Sequence, residues 1–278
     1  MILRSLINKH LEKLLPPGKG PHAPLFEAAR YSLLLPGKRL RPELLLKVLD
    51  AYDIPAHEGL DAAAALEMIH TYSLIHDDLP CMDDDDLRRG KPTLHKVYDE
   101  GQAVLAGDFL LTYAFEVLAK SAVPREVITI FAKAAGGHGM IGGQVIDLLS
   151  EGKEIDWDTL KQMYLGKTAA LFSAALEAGG VIAGASTEDQ AALKEAGNYY
   201  GISFQIQDDI LDETGTEESM GKPVGSDVAN RKANILTLFG RARAEALAQT
   251  FMGLAKKSIP PSCASFSGKM ESLQISYT

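Results

Sequence analysis

The chain has 278 residues, 46% of them hydrophobic, with 37 acidic against 28 basic side chains and a formal net charge of −9. That apolar content is ample for a packed core and excludes a disordered chain, while the acidic excess argues against a protein built to grip nucleic acid or an anionic membrane surface. Two cysteines, Cys81 and Cys263, can form neither a disulfide framework nor a thiolate zinc site, which fits a reducing cytoplasm.

Along the chain the apolar periodicity is helical nearly throughout. Ile2, Leu3, Leu6, Ile7, Leu11, Leu14 and Leu15 recur at helical spacing with Arg4, Lys9, Glu12 and Lys13 between them, a docking helix rather than a signal peptide. Further helices are predicted over 60–75, 107–120, 126–135, 159–178, 188–211 and 234–251. Breakers fall between them at Pro16-Pro17-Gly18, Pro36-Gly37, Pro55, Gly90 with Pro92, Pro124, Gly136-Gly137 and Gly179-Gly180. The most apolar stretch, 168–185, contains Glu177 and many small residues and reads as a buried helix, so no transmembrane segment is expected. Period-two strand signals are essentially missing. Gly215 to Gly225 is polar and glycine-rich directly behind a charged helix end, a segment suited to closing over a ligand. From Ser258 the Ser-rich tail loses helical periodicity. The expectation is an all-α fold, one large helical bundle over residues 1–278, with 258–278 an atypical tail.

The informative feature is where the acid sits. Residues 77–86 pack six aspartates into ten positions, and Asp208, Asp209 and Asp212 put three more into five. Setting these nine aside leaves 28 acids, equal to the basic count, so the net charge resides in the two clusters. Asp208 and Asp212 are spaced i, i+4 on an otherwise apolar helix, and like charges one turn apart repel. Such a pair calls for raised pKa values or a hard cation. Neither cluster has the glycine and glutamate of an EF-hand loop.

Basic residues bracket the acids: Lys38, Arg39 and Arg41 before the first cluster, Arg88 and Arg89 after it, Lys167 in mid-chain, and Lys222 and Lys232 behind the second. Carboxylates for Mg²⁺ together with guanidinium and ammonium groups for phosphate oxygens are what a magnesium–diphosphate site requires.

In order along the chain, GKRLRP at 37–42, HTYSLIHDDLPCMDDDDLRRGKPT at 70–93, LAGD at 105–108, GGQVIDL at 142–148, GKT at 166–168, FQIQDDILD at 204–212, GKPVGSD at 221–227 and KANILTL at 232–238 closely resemble the trans-prenyltransferases, the farnesyl/geranylgeranyl diphosphate synthase family. The resemblance implies an all-α homodimer around a deep central cavity, with the two aspartate motifs facing each other across its mouth. It also implies the reaction: an allylic diphosphate (dimethylallyl or geranyl) ionises, isopentenyl diphosphate attacks the cation, and a proton is lost, in the family to the released diphosphate. Carried over, Asp77, Asp83 and Asp208 bind three Mg²⁺ ions through the allylic diphosphate, which Arg88, Lys167, Lys222 and Lys232 also hold. Lys38, Arg41, His70 and Arg89 bind the isopentenyl diphosphate. Thr168 and Gln205 present oxygens toward the cation, aided by the backbone carbonyl near Lys167.

Ser73 and Tyr72, four and five residues before Asp77, lie about 6 to 7.5 Å below it on a helix, where an aromatic ring would floor the cavity. Tyr72, with Leu79-Pro80 inside the motif, resembles the short-chain bacterial farnesyl type, and geranylgeranyl diphosphate is the alternative product. Other readings are a terpene cyclase, which needs no second basic set, and an HD-type phosphohydrolase built on His70, His76 and Asp77, which leaves Asp83 to Asp86 unexplained. A non-catalytic partner subunit would be expected to lack motif aspartates. The tail departs from the family pattern of a terminal helix with a short basic end.

Overall fold

A computed structural model describes residues 2–214 and 233–271. Lys222, Lys232, the Gly215 to Gly225 stretch and residues 272–278 lie outside the described residues. The helices are α1 (Ile2–Leu14), α2 (Ala23–Leu33), α3 (Leu40–Ala51), α4 (Leu60–Asp77), α5 (Leu94–Val97), α6 (Glu100–Lys120), α7 (Arg125–Ala135) and α8 (Met140–Ser150), followed by α9 (Trp157–Tyr164), α10 (Ala170–Ile182), α11 (Thr187–Thr214), α12 (Ile235–Phe239), α13 (Arg241–Ser258) and α14 (Ala264–Glu271). The only strands among the described residues are β1 (Leu87–Arg88) and β2 (Lys91–Pro92), a two-residue antiparallel hairpin turned by Arg89 and Gly90, both at positive φ. The all-α expectation therefore holds.

α4 is buried on almost every side, from Ala62 through Ile69 and again at Tyr72 and Ile75, as a helix without a polar face must be. It packs along α6 and α3, while α10 is held by α3, α7 and α11, and α11 lies along α13. Leu44, Leu45, Leu46, Val48 and Leu49 of α3 are wholly buried. A second apolar cluster gathers Leu160, Tyr164, Ile206, Ile210, Ile235 and Phe251 beside the C-terminal part of α11. Side-chain caps fix several helix starts: Asp99 accepts from the Gln102 N–H (2.7 Å), Asp156 from that of Thr159 (2.8 Å), and Asn234 forms a capping box with Thr237.

The structure alters the expected elements in several places. Helices α2, α3, α5 and α8 are additional, and the predicted helix 234–251 is divided at Gly240, whose φ is +69°. Gly179-Gly180 does not break a helix; it lies inside α10. A Cβ on Gly179 would stand 2.8 Å from the Val48 Cβ and 3.0 Å from the Leu45 carbonyl oxygen, so the missing side chain serves close approach to α3. The predicted helix 159–178 carries a π-helical turn, Leu165–Ala169, between α9 and α10. Two helical stretches, Glu100–Lys120 and Trp157–Ile182, reach membrane-spanning length and apolarity by composition. In the second, 61% of the most apolar window is turned into the protein interior.

The tail requires a correction. After Pro260-Pro261 the chain resumes a short 3₁₀ turn and then α14, which docks on α3 with Cys263, Phe266 and Met270 fully buried. Their spacing of three and four residues is helical; the serines around them dilute the pattern. Replacing Phe266 by alanine should lower the unfolding free energy by about 3 kcal/mol or more, measured by urea denaturation. An unchanged midpoint would mean that the terminal helix does not contribute to the core.

Candidate active site

The first aspartate cluster begins at the C-terminal end of α4. Because Pro80 prevents the helix from continuing, the chain turns back on itself: the Asp83 N–H donates to the Asp77 carbonyl (2.9 Å), and those of Met82 and Asp84 donate to Leu79 (2.8 and 3.1 Å). This return brings Asp83 beside Asp77. Asp78, by contrast, points inward and is 4% exposed. Its carboxylate accepts from Arg88 Nε at 2.5 Å, and Arg88 also reaches Asp85 at 3.3 Å. Burial pushes the Asp78 carboxyl up to about 7 against the pull of Arg88. Burial opposes the Arg88 charge, but Asp78, Asp85 and Asp77 together hold its pKa above the ordinary value.

Lys167 and Thr168 sit on the π-helical turn. One extra residue in that turn rotates the following side chains relative to a regular helix, a distortion common at functional sites. Lys167 Nζ donates to Asp147 of α8. The two segments can approach because residue 143 is glycine: a Cβ there would lie 2.0 Å from the Lys167 backbone nitrogen. Burial weakens the Lys167 charge, but Asp77, Asp147 and Asp83 outweigh it and keep the ammonium protonated more strongly than an ordinary lysine. Lys167 thus lies in the field of both Asp77 and Asp83, which the sequence places more than eighty positions away.

A second basic group forms where α3 faces α4. Arg41 Nη1 lies 3.3 Å from His70 Nε2, and its guanidinium stands 4.3 Å over the Phe172 ring. Arg41 Nε is buried without a hydrogen-bond partner among the described residues, a donor able to serve a bound anion. Burial lowers its pKa to about 10, with Glu67, Tyr200 and Asp208 acting in the other direction. Burial and then Arg41 and Arg89 hold His70 well below its usual pKa, hence neutral. Arg89, 3.8 Å from Glu67, borders the same group, and Lys38 is exposed at the start of α3. Asp208 on α11 contributes to the field at Arg41, so basic groups link the two aspartate clusters.

Thr168 donates to Gln205 Oε1 at 2.5 Å, bringing the π turn and α11 together. Tyr72 is 5% exposed, and its hydroxyl is buried without a hydrogen-bond partner among the described residues. Burial, with a smaller contribution from Asp77, raises its pKa to about 12. Ser73 donates to the His70 carbonyl. His76 donates to the Val104 carbonyl at 3.0 Å and packs against Gly107, which occupies the ring that a phosphohydrolase would use as a metal ligand.

Three residues were not anticipated as parts of this site: Asp147, bonded to Lys167, Tyr164, bonded to Asp209, and Glu67, which anchors the basic group. Glu67 lies one helical turn before His70, and it binds Arg39 at 2.6 Å. Arg39 is itself buried, donating also to Asn8 and to the Leu33 and Leu35 carbonyls. The GKRLRP loop is therefore pinned by Arg39, and that leaves Arg41 and Lys38 to face outward to the site. The i, i+3 spacing of Glu67 and His70 was the available signal; only the fold shows which arginine Glu67 meets.

The polyprenyl synthetase family profile matches residues 22–258. A farnesyl diphosphate synthase of Geobacillus stearothermophilus is 45% identical over 250 residues, 87% of this chain and 82% of that one. A chloroplastic geranylgeranyl pyrophosphate synthase of Arabidopsis thaliana is 43% identical over 243 residues, 84% of this chain and 70% of that one. The crystal structure of a Helicobacter pylori geranyltransferase complexed with magnesium and isoprenyl diphosphate superposes with a TM-score of 0.88 at 36% identity, covering 98% of this chain and 94% of that one. With both aspartate clusters, their basic neighbours and a match over most of its length, the chain belongs to the polyprenyl synthetase family.

Proposed function

We propose that this protein is a short-chain trans-prenyl diphosphate synthase that condenses isopentenyl diphosphate with dimethylallyl or geranyl diphosphate to give farnesyl diphosphate. The observation that carries the reading is the pairing of two carboxylate clusters with two separate basic groups, one around Lys167 and Arg88 and one around Arg41, His70 and Arg89. Two diphosphates need two such groups; a terpene cyclase needs one.

Asp77 and Asp83 on one side and Asp208 on the other would hold Mg²⁺, three ions in our reading. Among the described residues no three His, Cys, Asp or Glu side chains gather closely enough to hold a metal by themselves. That donor set suits Mg²⁺, which takes one or two carboxylates and completes its octahedron with phosphate oxygens and water. When bound, the ions supply neutralisation of the charge that develops on a departing diphosphate. Arg88 and Lys167, with Lys222 and Lys232, hold the allylic diphosphate, and Arg41, Arg89, Lys38 and neutral His70 hold the isopentenyl diphosphate. Thr168 and Gln205 present oxygens toward the allylic cation, a preorganised electrostatic contribution. The apolar walls of α4 and α10 exclude water that would otherwise capture it.

Tyr72 supports a fifteen-carbon product. Its ring is packed five residues before Asp77 on α4, where a growing chain would meet it. We infer further that the enzyme works as a cytoplasmic homodimer. Val104 and Leu105 on α6, and Ile141, Val145, Leu148 and Leu149 on α8, are exposed apolar side chains, suited to burial against a second copy.

Purified protein given Mg²⁺, isopentenyl diphosphate and geranyl diphosphate should release farnesyl diphosphate, and a chelator should abolish turnover. Condensation that needs a second kind of subunit would overturn the reading, and a dominant twenty-carbon product would favour geranylgeranyl diphosphate synthesis. Tyr72→Ala should shift the product distribution, read by chromatography, toward twenty carbons and beyond; an unchanged distribution would remove Tyr72 as the floor. His70 bears on stability. Its depressed pKa means that the unfolded chain binds the extra proton, so stability is full above the ordinary value of 6.5 and falls as pH drops below it. The loss should be up to about 1.4 kcal/mol per pH unit, and His70→Asn should remove that part of the slope in denaturation measured between pH 7 and 5.

A further inference from the structure

Asp209 is the middle aspartate of the second cluster, and unlike the half-buried Asp208 it is almost wholly buried. It is 3% exposed, and it is hydrogen-bonded to groups inside the protein. Oδ2 accepts from the Tyr164 hydroxyl and from the Ile235 N–H at 3.2 Å, and that N–H is also 3.0 Å from the Tyr164 oxygen. Oδ1 accepts from Gln205 Nε2 at 2.9 Å, one helical turn earlier on α11. Gln205 Oε1 in turn accepts from Thr168 at 2.5 Å.

The chemistry of this chain is directional. An ionised carboxylate only accepts hydrogen bonds, whereas a glutamine amide has a donating end and an accepting end. The carboxylate admits just one orientation of the Gln205 amide, whereas the Thr168 hydroxyl, able to donate or accept, takes whichever end it is offered. Its nitrogen turns to Asp209 and its oxygen to Thr168. Rotating the amide by half a turn would set oxygen against carboxylate and discard the bond to Asp209, while the Thr168 hydroxyl would merely change from donating to accepting. A carboxylate itself free to move would give this control away, but Tyr164 and the backbone at the start of α12 hold it from behind.

We propose that Asp209 is a positioning residue, anchored by Tyr164 and the Ile235 N–H, that locks the Gln205 amide with its oxygen rather than its nitrogen on the Thr168 side. The proposal rests on the reading that Gln205 and Thr168 face the allylic cation. There the sign of the amide dipole matters: a carbonyl oxygen stabilises positive charge and an N–H opposes it. The second aspartate cluster then divides its labour, with Asp208 toward the mouth and Asp209 toward the cation-facing pair. An asparagine at 209 offers both a donor and an acceptor, so either orientation of Gln205 could find partners and the lock would be lost.

The test compares wild type, Asp209→Asn, Tyr164→Phe and Asp208→Asn for kcat, KM of the allylic diphosphate and the Mg²⁺ concentration giving half-maximal rate. Asp209→Asn and Tyr164→Phe should each lower kcat by about tenfold, the scale of one oriented hydrogen bond, with KM and the Mg²⁺ requirement changed less than about twofold. Asp208→Asn should instead raise the Mg²⁺ requirement. In a Gln205→Leu background, Tyr164→Phe should have almost no further effect on kcat, because both act through one amide. If Asp209→Asn does not fold, Tyr164→Phe, which retains the ring, decides the matter. An unchanged kcat in Tyr164→Phe, independent effects of Tyr164→Phe and Gln205→Leu, or a rise in Mg²⁺ requirement in Asp209→Asn equal to that in Asp208→Asn overturns the proposal. A wild type that does not condense at all instead overturns the functional reading beneath it.

Discussion

Nine aspartates crowd into two short segments, and like charges so close repel unless cations answer them. Lys167 lies in the field of Asp77 and Asp83 while bonded to Asp147. Arg88 stands between Asp78 and Asp85. Arg41 feels Asp208 from the far side. Each cation is brought in from a different part of the chain, and burial makes each interaction stronger than it would be in water. The same arrangement that relieves the carboxylates creates the mouth in which metal and diphosphate would bind.

Two buried polar systems hold the site from behind. On one side Glu67 binds Arg39 and borders Arg89, which pins the loop carrying Lys38 and Arg41. On the other, Tyr164 and Asp209 hold Gln205, and through it Thr168. In both, a carboxylate with little access to water organises the polar groups around it, so the side chains proposed to meet the substrates are held by buried ones. Such networks are effective where every member finds a partner, because the interior does not forgive an unpaired polar atom. The π turn at 165–169 belongs to the same logic: a local departure from regular helix geometry is tolerated because it presents Lys167 to Asp147 and Thr168 to Gln205.

Much of this was legible from residue spacing. Helix α4 and the two aspartate clusters stand out because apolar periodicity and charge crowding are local properties, and the order of the eight motifs identified the family. Other features could not be read locally. Gly179-Gly180 has the composition of a breaker, but α3 comes close enough to require the absence of a side chain. The terminal helix hides its three buried residues among serines. Asp209 looks like its neighbour Asp208, and only its burial against Tyr164 and Ile235 separates their roles.

The amino-acid sequence by itself determined the helical class, the concentration of negative charge in two clusters, and the kinds of basic residue that answer it, since these follow from periodicity and composition along the chain. Tertiary structure alone decided which base meets which acid, which aspartates are buried and which way an amide points. Those depend on contacts between segments tens to more than a hundred residues apart, and on which side of each helix is denied water. The net charge marks where the site is; burial and partner geometry decide what each of its charges does.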